Sequence, residues 1–299
     1  MAALVALAPI ALALVLMVGL RWPATRAMPL SWLATVAGAL LLWKLPPLYV
    51  AALTLHGFIT AASVLVIVFG ALVILYTLEQ GGALETIQWG MKRVSADSRV
   101  QAIIIGCMFA AFIEAAAGFG TPAALAAPLL VSLRFPPLAA ATLCLVFNSF
   151  PVTFGSVGTP VLLGLEYARP VAEAAGIGAT AFNHGVGRWA ALLHAPMIVL
   201  LPLLMLALLT RGFGERRRFG EGLGAWRIAL LGSLCFGVPY VALALLAGPE
   251  FPSLVGGLLG LGGVIIGARS GLVAPRGEPW TFGASSSWPE DWIAIDDGG

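Results

Sequence analysis

Residues Glu114 to Leu130 read EAAAGFGTPAALAAPLL, and the fold turns on how that stretch is understood. A lone carboxylate, two glycines and a proline interrupt otherwise unbroken apolar sequence. In a soluble core these would be packing irregularities. In hydrocarbon an unpaired backbone amide or a charge costs several kcal/mol, so the interruption needs a purpose.

Composition decides which solvent applies. The chain is 60% hydrophobic and 10% charged, with mean hydropathy +0.98, where a soluble domain carries about 25% charged residues. This is an integral membrane protein. Cys107, Cys144 and Cys235 each sit in apolar runs without C-x-x-C spacing, so no disulfide framework and no zinc or other metal site is expected, and no cofactor. A net charge of +2 gives no reason to expect a nucleic-acid partner; what matters is where the basic residues fall.

Apolar segments near the roughly 20 residues needed to cross hydrocarbon run over 2–20, 30–43, 50–78, 100–133, 138–165, 189–209, 228–246 and 254–266. None alternates apolar and polar residues as a barrel strand would, so all read as helices. The first has its cations, Arg21 and Arg26, after it and reads as a retained span. With the amino terminus outside, thirteen of the sixteen Lys and Arg fall on the cytoplasmic side and only Lys44, Arg169 and Arg188 on the other. That arrangement requires 100–133 to leave and return on one side.

A break near Gly118 to Pro122 divides that stretch into legs of about 16 and 12 residues, which suits a re-entrant hairpin with its tip at membrane depth. The next segment repeats the device. LCLVFNSFPVTFGSVGTPVLLGL, Leu143 to Leu165, breaks over Asn148 to Gly158 and resumes after Pro160. Both breaks end in Gly-Thr-Pro: Gly120-Thr121-Pro122 and Gly158-Thr159-Pro160. Glycine frees the backbone, threonine suits an N-cap, and proline suits the first helical position. Each motif therefore reads as a helix starting inside the membrane, its unpaired N–H groups attracting an anion, and two such starts converging at the midplane would form a carboxylate-sized receptor. The plainer reading is that Pro and Gly only kink these helices. GFGTPA also fits the dinucleotide G-x-G-x-x-A pattern, but no strand precedes it.

EAAAGFGTPAALAAPLL, NSFPVTFGSVGTPV and the helix opening with GVGRW resemble the L-lactate permease family of bacterial secondary transporters, which take up lactate, and often glycolate, together with protons. The similarity in hydropathy covers most of Ala2 to Gly267. It implies one repeat of an inverted-repeat ion-transporter fold: about seven transmembrane helices, a re-entrant hairpin and one discontinuous helix. The expected division is 1–99 as scaffold helices, 100–165 as the transport element, 166–268 as further spans and 269–299 as a polar cytoplasmic tail. Family members usually continue into a second, matching half. The tail PRGEPWTFGASSSWPEDWIAIDDGG looks like an inter-repeat loop cut short, so a fragment is expected, lacking part of any site built between repeats. A homo-oligomer standing in for the other half is conceivable, with nothing in the residues to support it.

The resemblance implies a short 2-hydroxy monocarboxylate as substrate, protons as the coupling ion and lipids as surroundings, in the bacterial inner membrane. The residues alone choose neither lactate over glycolate nor protons over sodium. Glu114 is the one acid singled out within the apolar spans and is the candidate proton carrier; its plainer role is to hydrogen-bond the tip. Backbone around Gly118, Phe119, Gly120 and Thr121, and around Ser156, Gly158 and Thr159, is expected to meet the carboxylate, with Pro122 and Pro160 starting the helices. Asn148, Ser149, Thr153 and Ser156 are candidates for the 2-hydroxyl, although polar side chains also serve to re-satisfy freed backbone. Phe119 and Phe154 could exclude water. Arg188 could draw in the anion or simply snorkel to the interface. An enzyme would want H-E-x-x-H, G-x-S-x-G or a P-loop lysine, none of which is present. A channel is the nearer rival, because a broken helix can expose carbonyls to cations.

Overall fold

The computed structural model of the chain describes residues 2–293 apart from 84–85, 87–88, 91–92, 119, 272, 274 and 276. The regular structure of the described residues is helical throughout. Two compact units separate at residues 1–69 and 70–299.

In the first unit α1 (Ala2–Leu14) widens into a π turn at Val15–Gly19 and packs on α2 (Ala24–Leu41). Leu16, Ala27 and Ser31 are buried, and the Ser31 hydroxyl donates to the Ala27 carbonyl at 3.0 Å, which satisfies it without water. Helix α3 (Pro47–Gln80) begins in this unit.

The second unit is built around α4 (Ser98–Ala117), whose middle, Ala102–Phe109, is a π-helix. After a tight turn α5 (Thr121–Ser132) folds back along it. Leu130 of α5 and Leu143 and Phe147 of α6 (Pro137–Phe147) all converge on Gly106 of α4. A short 3-10 turn (Val152–Phe154) leads into α7 (Gly155–Leu162), followed by α8 (Arg169–Ala174), the long α9 (Ala179–Phe213), α10 (Phe219–Leu223), α11 (Trp226–Leu246), α12 (Pro252–Arg269) and α13 (Glu290–Ile293). Small residues let α12 approach closely, as is usual where helices pack without water. A Cβ on Gly257 would lie 2.7 Å from the Phe112 Cα, and one on Gly260 2.6 Å from the Met108 sulfur.

Among the described residues, α4, α9, α11 and α12 are each long and apolar enough to cross a membrane, and α6 with Val152–Leu162, bent by 64°, makes a fifth if counted as one span. The seven spans expected from the sequence include the helices of the first unit, where the apolar described stretches Ala6–Gly19 and Pro47–Ser63 are shorter. The chain is an all-helical, multi-pass membrane protein.

Both ends of the hairpin meet the same piece of the carboxy-terminal segment. The Ser98 amide donates to the Trp280 carbonyl at 2.9 Å, and the Phe135 ring lies 4.7 Å from that of Phe282. The two legs therefore begin and end at the same end of the second unit. The tip sits at one end of α12. Phe112 packs at Gly257, only five residues from the start of α12, so Gly118 lies level with the loop joining α11 to α12 rather than midway along these helices. The first leg has 20 residues rather than about 16, long enough to cross by itself.

Candidate functional site

The tip is made by two glycines in conformations that a side chain disfavours. Gly118 ends α4 at φ 71, ψ −163, and Gly120 starts α5 at φ 77. Thr121 and Pro122 follow as the first buried residues of α5. In the second break Ser156, Val157 and Gly158 are all left-handed, at φ 44, 54 and 80, and a β-branched valine there is under real strain.

Two expectations need correction here. Neither threonine caps a helix: the Thr121 hydroxyl donates back to the Gly118 carbonyl at 2.9 Å, and that of Thr159 to the Ser156 carbonyl at 2.5 Å. Their side chains fasten the two turns in the same way, because the freed carbonyl is nearer than any helix-start amide. The second Gly-Thr-Pro also opens only one helical turn, Thr159 to Leu162, too short to sum a useful dipole. Only α5 presents a full helix start.

The two breaks meet. A Cβ on Gly118 would lie 2.7 Å from the Ser156 Cβ, and one on Gly155 would lie 2.8 Å from Oε1 of Glu114. Glu114 is 1% exposed. Its Oε2 accepts the Gly120 amide at 3.3 Å, and the Asn148 side chain reaches the same carboxylate. Since Asn148 Oδ1 is buried without a partner, the amide nitrogen is the end that serves Glu114. Gly120 itself borders open space, with no atom within 4 Å of where a Cβ would stand. A carboxylate, a helix start and an unpaired acceptor are thus gathered at one junction between α4, α5, α6 and α7.

A sequence profile of the L-lactate permease family matches residues 2–275. The chain belongs to that family. It is 35% identical over 234 residues to a putative L-lactate permease of Haemophilus influenzae, an alignment covering 78% of this chain and 41% of that protein. The L-lactate permease of Escherichia coli K12 is 30% identical over 77% of this chain and 39% of its own length. The glycolate permease of the same organism is 30% identical over 87% of this chain and 44% of its own. The chain therefore spans about two fifths of these relatives. No solved structure gives a significant match.

The permease-family candidates divide as follows. Glu114, Gly118, Gly120, Thr121, Asn148, Ser156, Gly158 and Thr159 line or support the two breaks. Ser149 is exposed and Thr153 half-buried beside the second break. Phe154 is fully buried with its ring 5.2 Å from Tyr240, a packing position rather than a wall of the site. Phe119 lies outside the described residues. Arg188 is exposed on the flank of α9, one residue past Gly187, which faces Phe154 and Pro249.

Sequence reasoning missed what holds the second break open. The Tyr240 hydroxyl donates to the Phe150 carbonyl at 3.0 Å, and that of Ser253 to the Pro151 carbonyl at 2.9 Å. With its proton given to Phe150, the Tyr240 oxygen accepts from His194 Nδ1 at 2.8 Å, which fixes the protonated nitrogen of that imidazole. Gly158 abuts the Pro249 carbonyl, and the next loop residue, Glu250, brings its carboxylate near His184 around Gly248. The available signal was a hydroxyl inside each of two apolar helices, which must find a partner when buried.

Proposed function

We propose that the protein is a secondary transporter that imports L-lactate or a related short 2-hydroxy monocarboxylate, glycolate included, by proton symport across the plasma membrane, with its amino terminus outside. The observation that carries this reading is the junction of Glu114, the Gly120 amide and the unpaired Asn148 Oδ1. The names of the relatives support the substrate class. A carboxylate is suited to the start of α5, where the amide and the helix dipole both favour negative charge. The 2-hydroxyl is suited to Asn148 Oδ1, which lacks a donor. Glu114 is the proton carrier, and Arg188, exposed on α9, draws in the anion.

The test is uptake of labelled lactate by proteoliposomes holding the purified protein. Saturable uptake driven by an inward proton gradient is expected, with lactate preferred over propionate. In Asn148→Leu that preference should shrink roughly tenfold, the worth of one hydrogen bond. Unsaturable, gradient-independent flux would instead indicate a channel and overturn the reading.

A further inference from the structure

The Gly120 amide, which the proposed function offers to the substrate, is already engaged by Oε2 of Glu114 at 3.3 Å. The same carboxylate is pressed by Gly155 on its Oε1 side and reached by Asn148. The Gly120 amide and the Asn148 side-chain nitrogen are therefore held by an internal anion, while Asn148 Oδ1 has no donor. We infer that Glu114 is the site's own competitor: ionised, it occupies the helix start in place of substrate, and protonated, it releases the Gly120 amide and the Asn148 side-chain nitrogen to the incoming carboxylate. This rests on the proposed transport reading and supplies its coupling step.

The physical argument is charge and geometry. Two carboxylates cannot share one amide, since like charges a few ångströms apart repel, the more so when one of them, Glu114, is buried. A bond of 3.3 Å is at the long end for N–H···O, a contact that can be exchanged without dismantling a turn. The open space beside Gly120 leaves room for the replacement group. The other titratable groups of this neighbourhood are engaged or lie away from the tip: on α9 and α11, His194 and Tyr240 are bonded to each other and, through the Tyr240 hydroxyl, to the Phe150 carbonyl. α5, α7 and the 3-10 turn contain no acid or base; α6 contains only Cys144; α12 contains only Arg269, at its far end; and α4 adds Cys107 and Arg99, on the turns away from the tip. Glu250 and His184 flank Gly248, in the loop beyond Gly158. The proton passes from water to a Glu114 oxygen as the anion binds, so that one negative charge is in the junction before and after. Proton and anion then enter together because either alone leaves it with two charges or none.

The experiment is equilibrium binding of labelled L-lactate, glycolate, acetate and propionate to the purified protein between pH 5.5 and 8.5. Wild-type affinity is expected to fall about tenfold per pH unit once Glu114 is ionised, the limit for one linked proton. Glu114→Gln keeps a neutral side chain of the same shape. Its affinity should be flat with pH and at pH 8.5 should exceed that of the wild type. Because that variant could misfold, a second readout uses the wild type alone: in weak buffer at pH 8, about one proton should be taken up per anion bound. A wild-type slope retained in Glu114→Gln, or no proton uptake on binding, overturns the inference while leaving a carboxylate transporter standing. Acetate binding with the expected profile but no lactate or glycolate binding would uphold the inference and overturn the substrate class. No carboxylate binding by the wild type at any pH would overturn both.

Discussion

Gly118 and Gly120 are two residues apart and both left-handed, yet they should respond differently to a methyl group. Gly118→Ala forces a Cβ to within 2.7 Å of Ser156 in a conformation reserved for glycine, and is expected to cost about 2 kcal/mol. Gly120→Ala meets open space and should cost about 1 kcal/mol, the backbone penalty alone. Melting curves in detergent would separate them; equal shifts would mean that the tip does not touch the second break. Glu114 and Asn148 were legible from sequence because a carboxylate and an amide in apolar surroundings stand out. Tyr240 and Ser253 were not, since their partners are backbone carbonyls 90 and 102 positions away. Thr121 and Thr159 were read as caps because composition cannot tell which way a hydroxyl turns.

The broken helix is an element kept open by other elements. The Phe150 carbonyl has no place in a helical ladder and is satisfied by Tyr240 of α11, while the Pro151 carbonyl, which accepts the Phe154 amide in the 3-10 turn, takes a second hydrogen bond from Ser253 of α12. Tyr240→Phe removes one hydroxyl and leaves the Phe150 carbonyl buried and unpaired, which should destabilise the protein by about 1–3 kcal/mol. Hydrogen exchange should quicken locally over 148–158; an unchanged exchange pattern would remove Tyr240 from this role. The existence of both breaks was readable from Gly, Pro and polar residues inside apolar runs. The place of the tip along α12 was not, because it depends on which residue of α12 faces Phe112. The brevity of the second helix was hidden too, since the apolar run continues to Leu165 although a Cβ on Gly164 would lie 2.4 Å from the Pro160 carbonyl.

Across the second unit, the segment read from sequence as a polar tail is part of the fold. Trp280 donates its amide to Asp97 at 3.2 Å and its indole N–H to Glu221 at 2.9 Å, and Phe282 is 2% exposed. Arg99 makes a buried pair with Asp97 at 2.6 Å and also donates to the Glu221 carbonyl. Asp97→Ala strands that guanidinium and should cost about 3–5 kcal/mol, seen as a large drop in melting temperature; a drop no greater than that for an exposed acid such as Glu290 would contradict the clamp. Few charges and three tryptophans over 280–292 were the visible hint, but docking onto a helix nearly two hundred residues earlier leaves no local pattern.

One junction serves both anion and proton, and a structure of the protein with L-lactate bound at acidic pH tests this most directly. The lactate carboxylate is expected within about 3 Å of the Gly120 amide, its hydroxyl on Asn148 Oδ1, and Glu114 withdrawn from Gly120. Lactate bound elsewhere, or bound while the Glu114–Gly120 hydrogen bond persists, would contradict it.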